Sequence, residues 1–225
     1  MIIVSGASKG LGYAICQRLL TKGQNVFGIA RNVSTLNFPA AQCDVADYEQ
    51  MGNIAKKLKN DSDGISGLIN AAGIASMNLA LTTPEDVTRR IIETNLLGTI
   101  YSCQHFAPLM IRRKIGKIIN FSTIAVALAL KGESVYAASK AGVEAFSRVF
   151  AREMAPFNIT VNCIAPGPIN TDLLKNITQN QIQKIVSQQI IDKQFSIDAI
   201  CDVVEIILDD RTSSLSGQIF HVGGV

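Results

Sequence analysis

The sequence predicts a doubly wound α/β fold, in which a seven-stranded parallel sheet carries helices on both faces. Three observations support this prediction. Short apolar runs of three to six residues recur along the chain, amphipathic stretches of helical length separate them, and a glycine-rich turn directly follows the first run. Strands that alternate with helices in this way form right-handed βαβ units, whose strands lie parallel and are buried on both faces.

The individual elements are assigned from hydrophobic periodicity. Strands are predicted at residues 2–4, 25–30, 41–43, 67–70, 117–121, 160–164 and 218–222. Helices are predicted at residues 12–22, 48–58, 84–113 and 134–156. The last helix stops near Pro156, because proline cannot donate a backbone hydrogen bond. No repeat, low-complexity tract or linker divides the chain, so we expect a single domain over residues 1–225.

The segment at residues 172–195 departs from this pattern. It is rich in glutamine and asparagine, with isolated apolar residues between them. Long excursions of this kind in compact domains often cover a site. We therefore expect one or two short amphipathic helices that act as a substrate lid, and the alternative is an ordinary surface helix.

Composition and charge exclude several classes of function. The formal net charge is +3 and no long basic block occurs, so we expect no nucleic-acid partner. Five cysteines without C-x-x-C spacing favour reduced thiols in the cytoplasm and give no support for a metal site. No apolar stretch reaches the length of a membrane span and no basic leader precedes the first strand, so we expect neither a membrane segment nor a signal peptide.

The first candidate site is the glycine-rich run at residues 5–12, between the first strand and the first helix. Gly6, Gly10 and Gly12 permit a tight turn and let backbone amides approach a pyrophosphate at the start of the helix. The run therefore predicts a dinucleotide site.

The charge at the end of the second strand bears on which dinucleotide binds. An acidic residue there would accept hydrogen bonds from a ribose 2′-hydroxyl, whereas basic residues would pair with a 2′-phosphate. This chain has Arg31 at that position and Lys9 within the glycine run. The pair favours NADPH over NADH, and the alternative for Arg31 is a solvated cation at the end of the strand.

The second candidate site is the pair Tyr136 and Lys140. On a helix these residues share a face, so the ammonium comes within reach of the phenol. We expect this positive charge to lower the pKa of Tyr136 and to make it a usable general acid or base.

The glycine spacing resembles the T-G-x-x-x-G-x-G loop of the short-chain dehydrogenases and reductases, with Ser5 in place of the threonine. Five further motifs of that family follow in the same order. They are Asn70-Ala71-Ala72-Gly73, Asn95 with Gly98, Tyr136-x-x-x-Lys140 with Ala141-Gly142, Pro166-Gly167-Pro168-Ile169-Asn170-Thr171, and Ser216-Gly217-Gln218. The resemblance covers essentially the whole chain.

The resemblance implies a Rossmann fold and NADPH-dependent interconversion of a carbonyl and a secondary alcohol. It implies that Tyr136 and Lys140 are catalytic, that Asn95 holds a water linking the lysine to solvent, and that a third hydroxyl orients the carbonyl. By residue type this hydroxyl is Ser122, and by register it is Thr123, so both remain candidates. The implied cofactor contacts are Gly6, Ser8, Lys9, Gly10, Leu11, Gly12, Arg31, Asp44, Val45, Asn70, Ala71, Gly73, Tyr136, Lys140, Pro166, Gly167, Ile169 and Thr171.

The sequence indicates less about the identity of the substrate than about the identity of the cofactor. An apolar run at residues 124–130 indicates a hydrophobic pocket wall, and the chain resembles most the 3-oxoacyl-carrier-protein reductases. Arg113 and Lys114 would suit an acidic carrier protein, whereas Phe157 stands where a second basic residue is expected. The alternatives are a free small alcohol, sugar or ketone as substrate, or an NADP-binding sensor or scaffold protein without turnover.

A homodimer or homotetramer is also expected. Members of the family pair their two long helices between subunits, and this chain has surplus apolar residues on those helices. The residues expected to face outward are Ile91, Ile100, Phe146, Val149 and Phe150.

Overall fold

The computed structural model describes residues 1–59, 64–171 and 178–225 and has a parallel sheet at its centre. The strands are β1 (Ile2–Ser5), β2 (Val26–Ala30), β3 (Ala40–Gln42), β4 (Gly67–Asn70), β5 (Gly116–Phe121), β6 (Ile159–Pro166) and β7 (Ile219–Val222). Within the described residues they form one sheet in the order β3-β2-β1-β4-β5-β6-β7, and all neighbouring pairs are parallel. The predicted seven-stranded parallel sheet is confirmed.

Helices cover both faces of the sheet. They are α1 (Gly10–Thr21), α2 (Tyr48–Leu58), α3 (Glu85–Ile92), α4 (Gly98–Ile111), α5 (Ile124–Leu128), α6 (Ser134–Met154), α7 (Gln179–Val186) and α8 (Ile197–Leu208). A π-helical turn, Glu93–Leu97, joins α3 to α4. The long helix predicted at residues 84–113 is therefore present, but its hydrogen-bond spacing changes in the middle.

Two of these helices lie outside the predicted ranges. α5 has only five residues, too few for a periodic pattern to be read. α8 carries a recognisable stripe, since Ile200, Val204 and Ile207 are buried along one face. Its start is also marked, because the Ser196 hydroxyl accepts a hydrogen bond from the Ala199 N–H.

The core lies in two layers, one on each face of the sheet. Successive residues in a strand point to opposite faces. Ile3 accordingly packs with Phe106 of α4, whereas Val4 packs with Leu19 of α1 and Val204 of α8. Because both faces of the central strands are buried, their sequences are continuous apolar runs rather than alternating ones.

The residues expected to face outward on the long helices differ in their exposure. Ile91 and Phe150 are buried within the chain itself, so that part of the prediction is wrong. Phe150 is covered partly because Phe146 stacks on it, with ring centroids 5.1 Å apart. Val149 is 58% exposed and keeps the outward position expected of it.

The cysteines and the helices bear on the predictions made from composition. All five cysteines lie in the described parts of the chain, where they are buried and form no disulfide. No helix among the described residues is long and apolar enough to cross a membrane.

The sheet places the candidate residues at the carboxyl ends of its strands. β1 pairs with β2 on one side and with β4 on the other. The strands that follow β1 up to β3 therefore extend the sheet to one side, and those from β4 onward extend it to the other. A crevice opens at the carboxyl ends of the strands at such a reversal. The turns that leave β1, β4 and β5 begin at Gly6, Ala71 and Ser122, and these turns meet in the crevice.

Candidate active site

The glycine-rich run forms a tight turn between β1 and α1. Gly6 and Gly10 have φ angles of +72° and +57°, a region that glycine adopts without strain. A Cβ atom on Gly6 would lie 2.7 Å from the backbone nitrogen of Ala72, and one on Gly12 would collide with the Gly6 carbonyl oxygen. The turn can therefore approach the end of β4 only because these positions lack side chains.

The start of α1 is suited to an anion. Its N-cap residue, Lys9, makes no side-chain capping bond, and no acidic residue lies in the first turn. The first backbone N–H groups of a helix lack intrahelical acceptors and carry the positive end of the helix dipole. With Lys9 and the glycine turn beside them, these amides fit a pyrophosphate.

A cavity of about 640 Å³ extends from this turn to α6. Every predicted site residue except Asn70 and Asn95 lines it. Those that do are Gly6, Ser8, Lys9, Gly10, Leu11, Gly12, Arg31, Asp44, Val45, Ala71, Gly73, Ser122, Thr123, Tyr136, Lys140, Pro166, Gly167, Ile169 and Thr171. The structure thus brings together residues that are up to 165 positions apart in the chain, from Gly6 to Thr171.

Tyr136 and Lys140 lie one turn apart on α6. Lys140 is only 5% exposed, and its Nζ donates a hydrogen bond of 2.8 Å to the Phe121 carbonyl oxygen at the end of β5. Burial lowers the pKa of Lys140 to about 8, so the amine still carries its proton near neutral pH. This hydrogen bond holds the ammonium beside the cavity.

The pKa of Tyr136 departs from the expectation. Burial and, to a lesser extent, the negative charge of Glu133 raise this pKa to about 12, although the nearby Thr123 hydroxyl lowers it. The predicted lowering by Lys140 is therefore wrong for this structure, because desolvation and a nearby carboxylate dominate. The phenol is protonated at neutral pH and is placed to donate a proton.

The two candidate hydroxyls point to different partners. Ser122 is 4% exposed, and its Oγ donates a 2.6 Å hydrogen bond to Oε1 of Glu144, a buried carboxylate on α6. Thr123 accepts a bond from the Ala125 N–H at the start of α5, and its hydroxyl lies close enough to the Tyr136 phenol to lower the pKa of that phenol. The structure therefore brings Thr123, rather than Ser122, to the phenol.

Asn95 lies beside the cavity rather than in its lining. It is fully buried in the π-helical turn, and its amide exchanges 2.9 Å hydrogen bonds with the backbone N–H and C=O of Ile74. Its Nδ2 also donates to Ser139 Oγ at 3.0 Å. A Cβ placed on Gly73 would lie 3.4 Å from Asn95 Oδ1 and 3.5 Å from Lys140 Nζ. The bonds to Ile74 and Ser139 position the loop after β4, and a role in holding water stays a prediction.

Asn70 lies in the core rather than in the cavity. It is 2% exposed, and its Nδ2 donates a 2.8 Å hydrogen bond to Asn120 on β5. Asn120 in turn donates to Ser147 Oγ on α6 at 2.7 Å. These bonds tie β4, β5 and α6 together, and the structure gives the Asn70 side chain no place in the cavity.

The family follows from comparison of the whole sequence. The model of the short chain dehydrogenase family matches residues 1–182. The chain belongs to the short chain dehydrogenase family. Residues 1–182 include the glycine turn, the cavity residues of α6 and the loop after β6, so the match covers the candidate site.

Curated relatives of this dehydrogenase include bacterial reductases. It is 30% identical over 231 residues to the 3-oxoacyl-[acyl-carrier-protein] reductase FabG of Salmonella typhimurium, covering 99% of this chain and 95% of the relative. It is 31% identical over 236 residues to the enzyme of that name from Staphylococcus epidermidis, covering 99% and 96%. The dehydrogenase is thus an oxidoreductase of a family that uses nicotinamide cofactors.

Solved structures show the same fold. The aldohexose dehydrogenase of Thermoplasma acidophilum superposes with a TM-score of 0.89 at 26% identity, covering 99% of this chain and 92% of that one. A second structure, gox2181, superposes with a TM-score of 0.90 at 23% identity and shows the fold alone. The predicted Rossmann-type fold is confirmed.

Several cavity residues of the dehydrogenase were not predicted as site residues. Ile185 of α7 lines the cavity from within the predicted lid, of which residues 172–177 lie outside the described residues. Glu133 also lines it, immediately before α6. A signal for Glu133 exists in the sequence, since a residue three positions before Tyr136 lies on the same side of a helix.

Proposed function

We propose that this dehydrogenase reduces a carbonyl compound to a secondary alcohol with NADPH. The observation that carries the proposal is that Thr123 and Tyr136 line one end of a cavity whose other end is the glycine turn, with the Thr123 hydroxyl close enough to the phenol to lower its pKa. A substrate oxygen between these two hydroxyls would lie beside a cofactor extending from the turn. A sensor or scaffold protein would not need this arrangement.

Each side chain has a separate part in the reaction. When bound, the reduced nicotinamide supplies the hydride. Thr123 donates a hydrogen bond to the substrate oxygen and polarises the carbonyl, and Tyr136 gives that oxygen its proton. The ammonium of Lys140, held by the Phe121 carbonyl, stabilises the phenolate that remains. With its pKa raised to about 12, Tyr136 is protonated at neutral pH, which is the form that the reduction step requires.

The preference for NADPH is supported by charge at the adenosine end. Lys9 and Arg31 line the same end of the cavity, and no acidic residue ends β2. A 2′-phosphate there would form charge-assisted hydrogen bonds with these side chains. Asp44, whose Oδ1 accepts the Ala46 N–H at 3.0 Å, lies after β3 and is assigned to the adenine amino group.

Substitution of Arg31 tests the cofactor preference. We expect Arg31→Ala to weaken NADPH binding about ten-fold, as loss of one charge-assisted hydrogen bond predicts, and to leave NADH binding within about two-fold. Dissociation constants from fluorescence titrations with both cofactors measure the effect. Arg152→Ala, at an exposed position on α6 outside the cavity, is the matched control. Equal weakening of both cofactors would show that Arg31 does not recognise the 2′-phosphate.

The substrate class has two candidates. Ile124, Ala125 and Leu130 from the predicted apolar run line the cavity together with Ile185, which supports an acyl chain as in a 3-oxoacyl thioester. The buried carboxyl of Glu133 in the same cavity favours a smaller, polar carbonyl compound. Residues 172–195 are proposed as the lid over either substrate.

The proposed function is tested on the purified protein. NADPH is titrated first, and its oxidation is then followed by absorbance against 3-oxoacyl thioesters, simple ketones and hydroxyketones. NADPH binding with turnover of any of these carbonyls is the expected result. Binding without turnover on the whole panel would support a sensor, and absence of binding would contradict the assignment of the cavity to NADPH.

A further inference from the structure

Glu133 is a buried acid beside the proposed proton donor. It immediately precedes α6, is 9% exposed and lines the cavity. Tyr136 follows three positions later and lines the same cavity. The carboxyl group is close enough to raise the pKa of the Tyr136 phenol through its charge.

The carboxyl group has no protein partner that explains its burial. As the N-cap residue of α6 it makes no side-chain capping bond. Over residues 1–59, 64–171 and 178–225 no group donates a hydrogen bond to it and no cation pairs with it. Burial also raises the pKa of this carboxyl group, because desolvation disfavours its charged form. Its oxygens are not among the fully buried, unpaired atoms of the described residues, so they are open to the cavity, where a ligand hydroxyl can take the place of water as the hydrogen-bond donor.

The other groups nearby do not take that role. The Lys140 ammonium is bonded to the Phe121 carbonyl, and Lys131, two positions before Glu133, is exposed. Leu130 and Ile124, which line the same cavity, offer only apolar contacts. A few polar groups in an otherwise apolar wall typically fix the orientation of a ligand.

We propose that Glu133 accepts a hydrogen bond from a substrate hydroxyl on a carbon one or two bonds from the reacting carbonyl. The inference rests on the proposed function and narrows its substrate class to α- and β-hydroxycarbonyl compounds. Tyr136 and Thr123 hold the carbonyl oxygen, and Glu133 lines the same cavity three positions before Tyr136, where a hydroxyl so placed meets its carboxyl group. A substrate that offers only an alkyl group there leaves the buried carboxyl unpaired, and the site therefore disfavours it.

Two isosteric pairs of substrates test this proposal. Hydroxyacetone is compared with butanone, and 4-hydroxybutan-2-one with pentan-2-one, by kcat/KM for NADPH oxidation. An α-hydroxyl also makes a carbonyl more reactive, whatever the enzyme does. The informative quantity is therefore the change in the kcat/KM ratio of hydroxyketone to alkyl ketone when Glu133 is substituted. In Glu133→Met we expect the hydroxyketone to alkyl ketone ratio to fall at least about ten-fold for one of the pairs. Glu133→Gln, which keeps an acceptor oxygen, should give an intermediate ratio.

The controls separate recognition from other effects. Glu153→Met replaces an exposed acid on α6 and should leave the ratios unchanged. Thermal unfolding and NADPH titration establish that each variant is folded and loaded, and Glu133→Gln carries the test if Glu133→Met does not fold. Because both members of a pair use the same Tyr136, a change in its pKa cancels in the ratio.

Different results would count against hydroxyl recognition by Glu133 and against carbonyl reduction itself. Unchanged ratios in both Glu133 variants would overturn hydroxyl recognition. Turnover of 3-oxoacyl thioesters by the wild-type protein without turnover of either hydroxyketone would also overturn it, while carbonyl reduction itself would stand. Absence of NADPH oxidation with every carbonyl would instead count against the proposed function and remove the basis of this inference.

Discussion

Replacement of Tyr136 by phenylalanine is expected to lower kcat for carbonyl reduction about 10³-fold, the effect typical of losing a positioned general acid. The substitution removes only the phenolic oxygen, so the ring keeps its packing on α6. The proton that the substrate oxygen needs then comes from water. NADPH binding should stay within about two-fold, because one hydroxyl contact at most is lost to the cofactor.

Initial rates and NADPH titrations on the same protein samples separate the two effects. Tyr101→Phe is a matched control, since Tyr101 packs against Tyr48 with ring centroids 5.0 Å apart and does not line the cavity. A Tyr136→Phe variant with wild-type kcat would show that another group supplies the proton. A variant that binds no NADPH would show that the residue serves the cofactor rather than the chemistry.

The second large effect is expected at Thr123. Thr123→Val removes the hydroxyl but keeps the shape, and we expect a loss in kcat of about 10²-fold, as for one donor to a developing oxyanion. The same substitution removes the acceptor that caps α5, which should lower the free energy of unfolding by about 1 kcal/mol. Thr123→Ser retains the hydroxyl and should recover most of the activity.

Ser122 provides the contrast. In Ser122→Ala the buried carboxylate of Glu144 loses its 2.6 Å hydrogen bond and keeps the pairing with Arg148 at 3.3 Å. We expect the free energy of unfolding to fall by about 1.5–3 kcal/mol, as for a hydrogen bond to a charged group. The fall in kcat should be less than about ten-fold, because the lost bond belongs to Glu144 and not to the substrate oxygen.

Denaturant unfolding and steady-state rates of the wild-type protein and of Thr123→Val, Thr123→Ser and Ser122→Ala distinguish a catalytic role from a structural one. The expected pattern is a catalytic loss at Thr123 and a stability loss at Ser122. The reverse pattern, with kcat falling about 10²-fold in Ser122→Ala and little change in Thr123→Val, would assign the substrate contact to Ser122.

Much of the site could be predicted from local sequence. The glycine turn is a local feature, because positive φ at Gly6 and Gly10 depends on residues that lack a Cβ. Tyr136 and Lys140 are also local, since helical spacing alone puts them on one face. α8 could have been predicted in the same way from its buried stripe, whereas five-residue α5 is too short to show a period.

Other features depend on residues far apart in the chain. Whether Ser122 or Thr123 faces Tyr136 is decided by Glu144, which lies 22 positions after Ser122 and accepts a hydrogen bond from its hydroxyl. Asn70 looked like a site residue by motif, yet its amide bonds to Asn120 because β4 and β5 are adjacent in the sheet. These hydrogen bonds form only when the strands and α6 pack together.

The sequence by itself determined the α/β architecture, the position of the glycine-rich turn and the Tyr136–Lys140 pair. The reason is physical, because hydrophobic period, glycine conformation and helical spacing are set by neighbouring residues. Only the tertiary structure decided which hydroxyl meets the phenol, that burial and Glu133 raise the pKa of Tyr136, and that Glu133 itself lies in the cavity. Desolvation and buried hydrogen bonds depend on what packs around a group, and that packing is formed by segments distant in sequence.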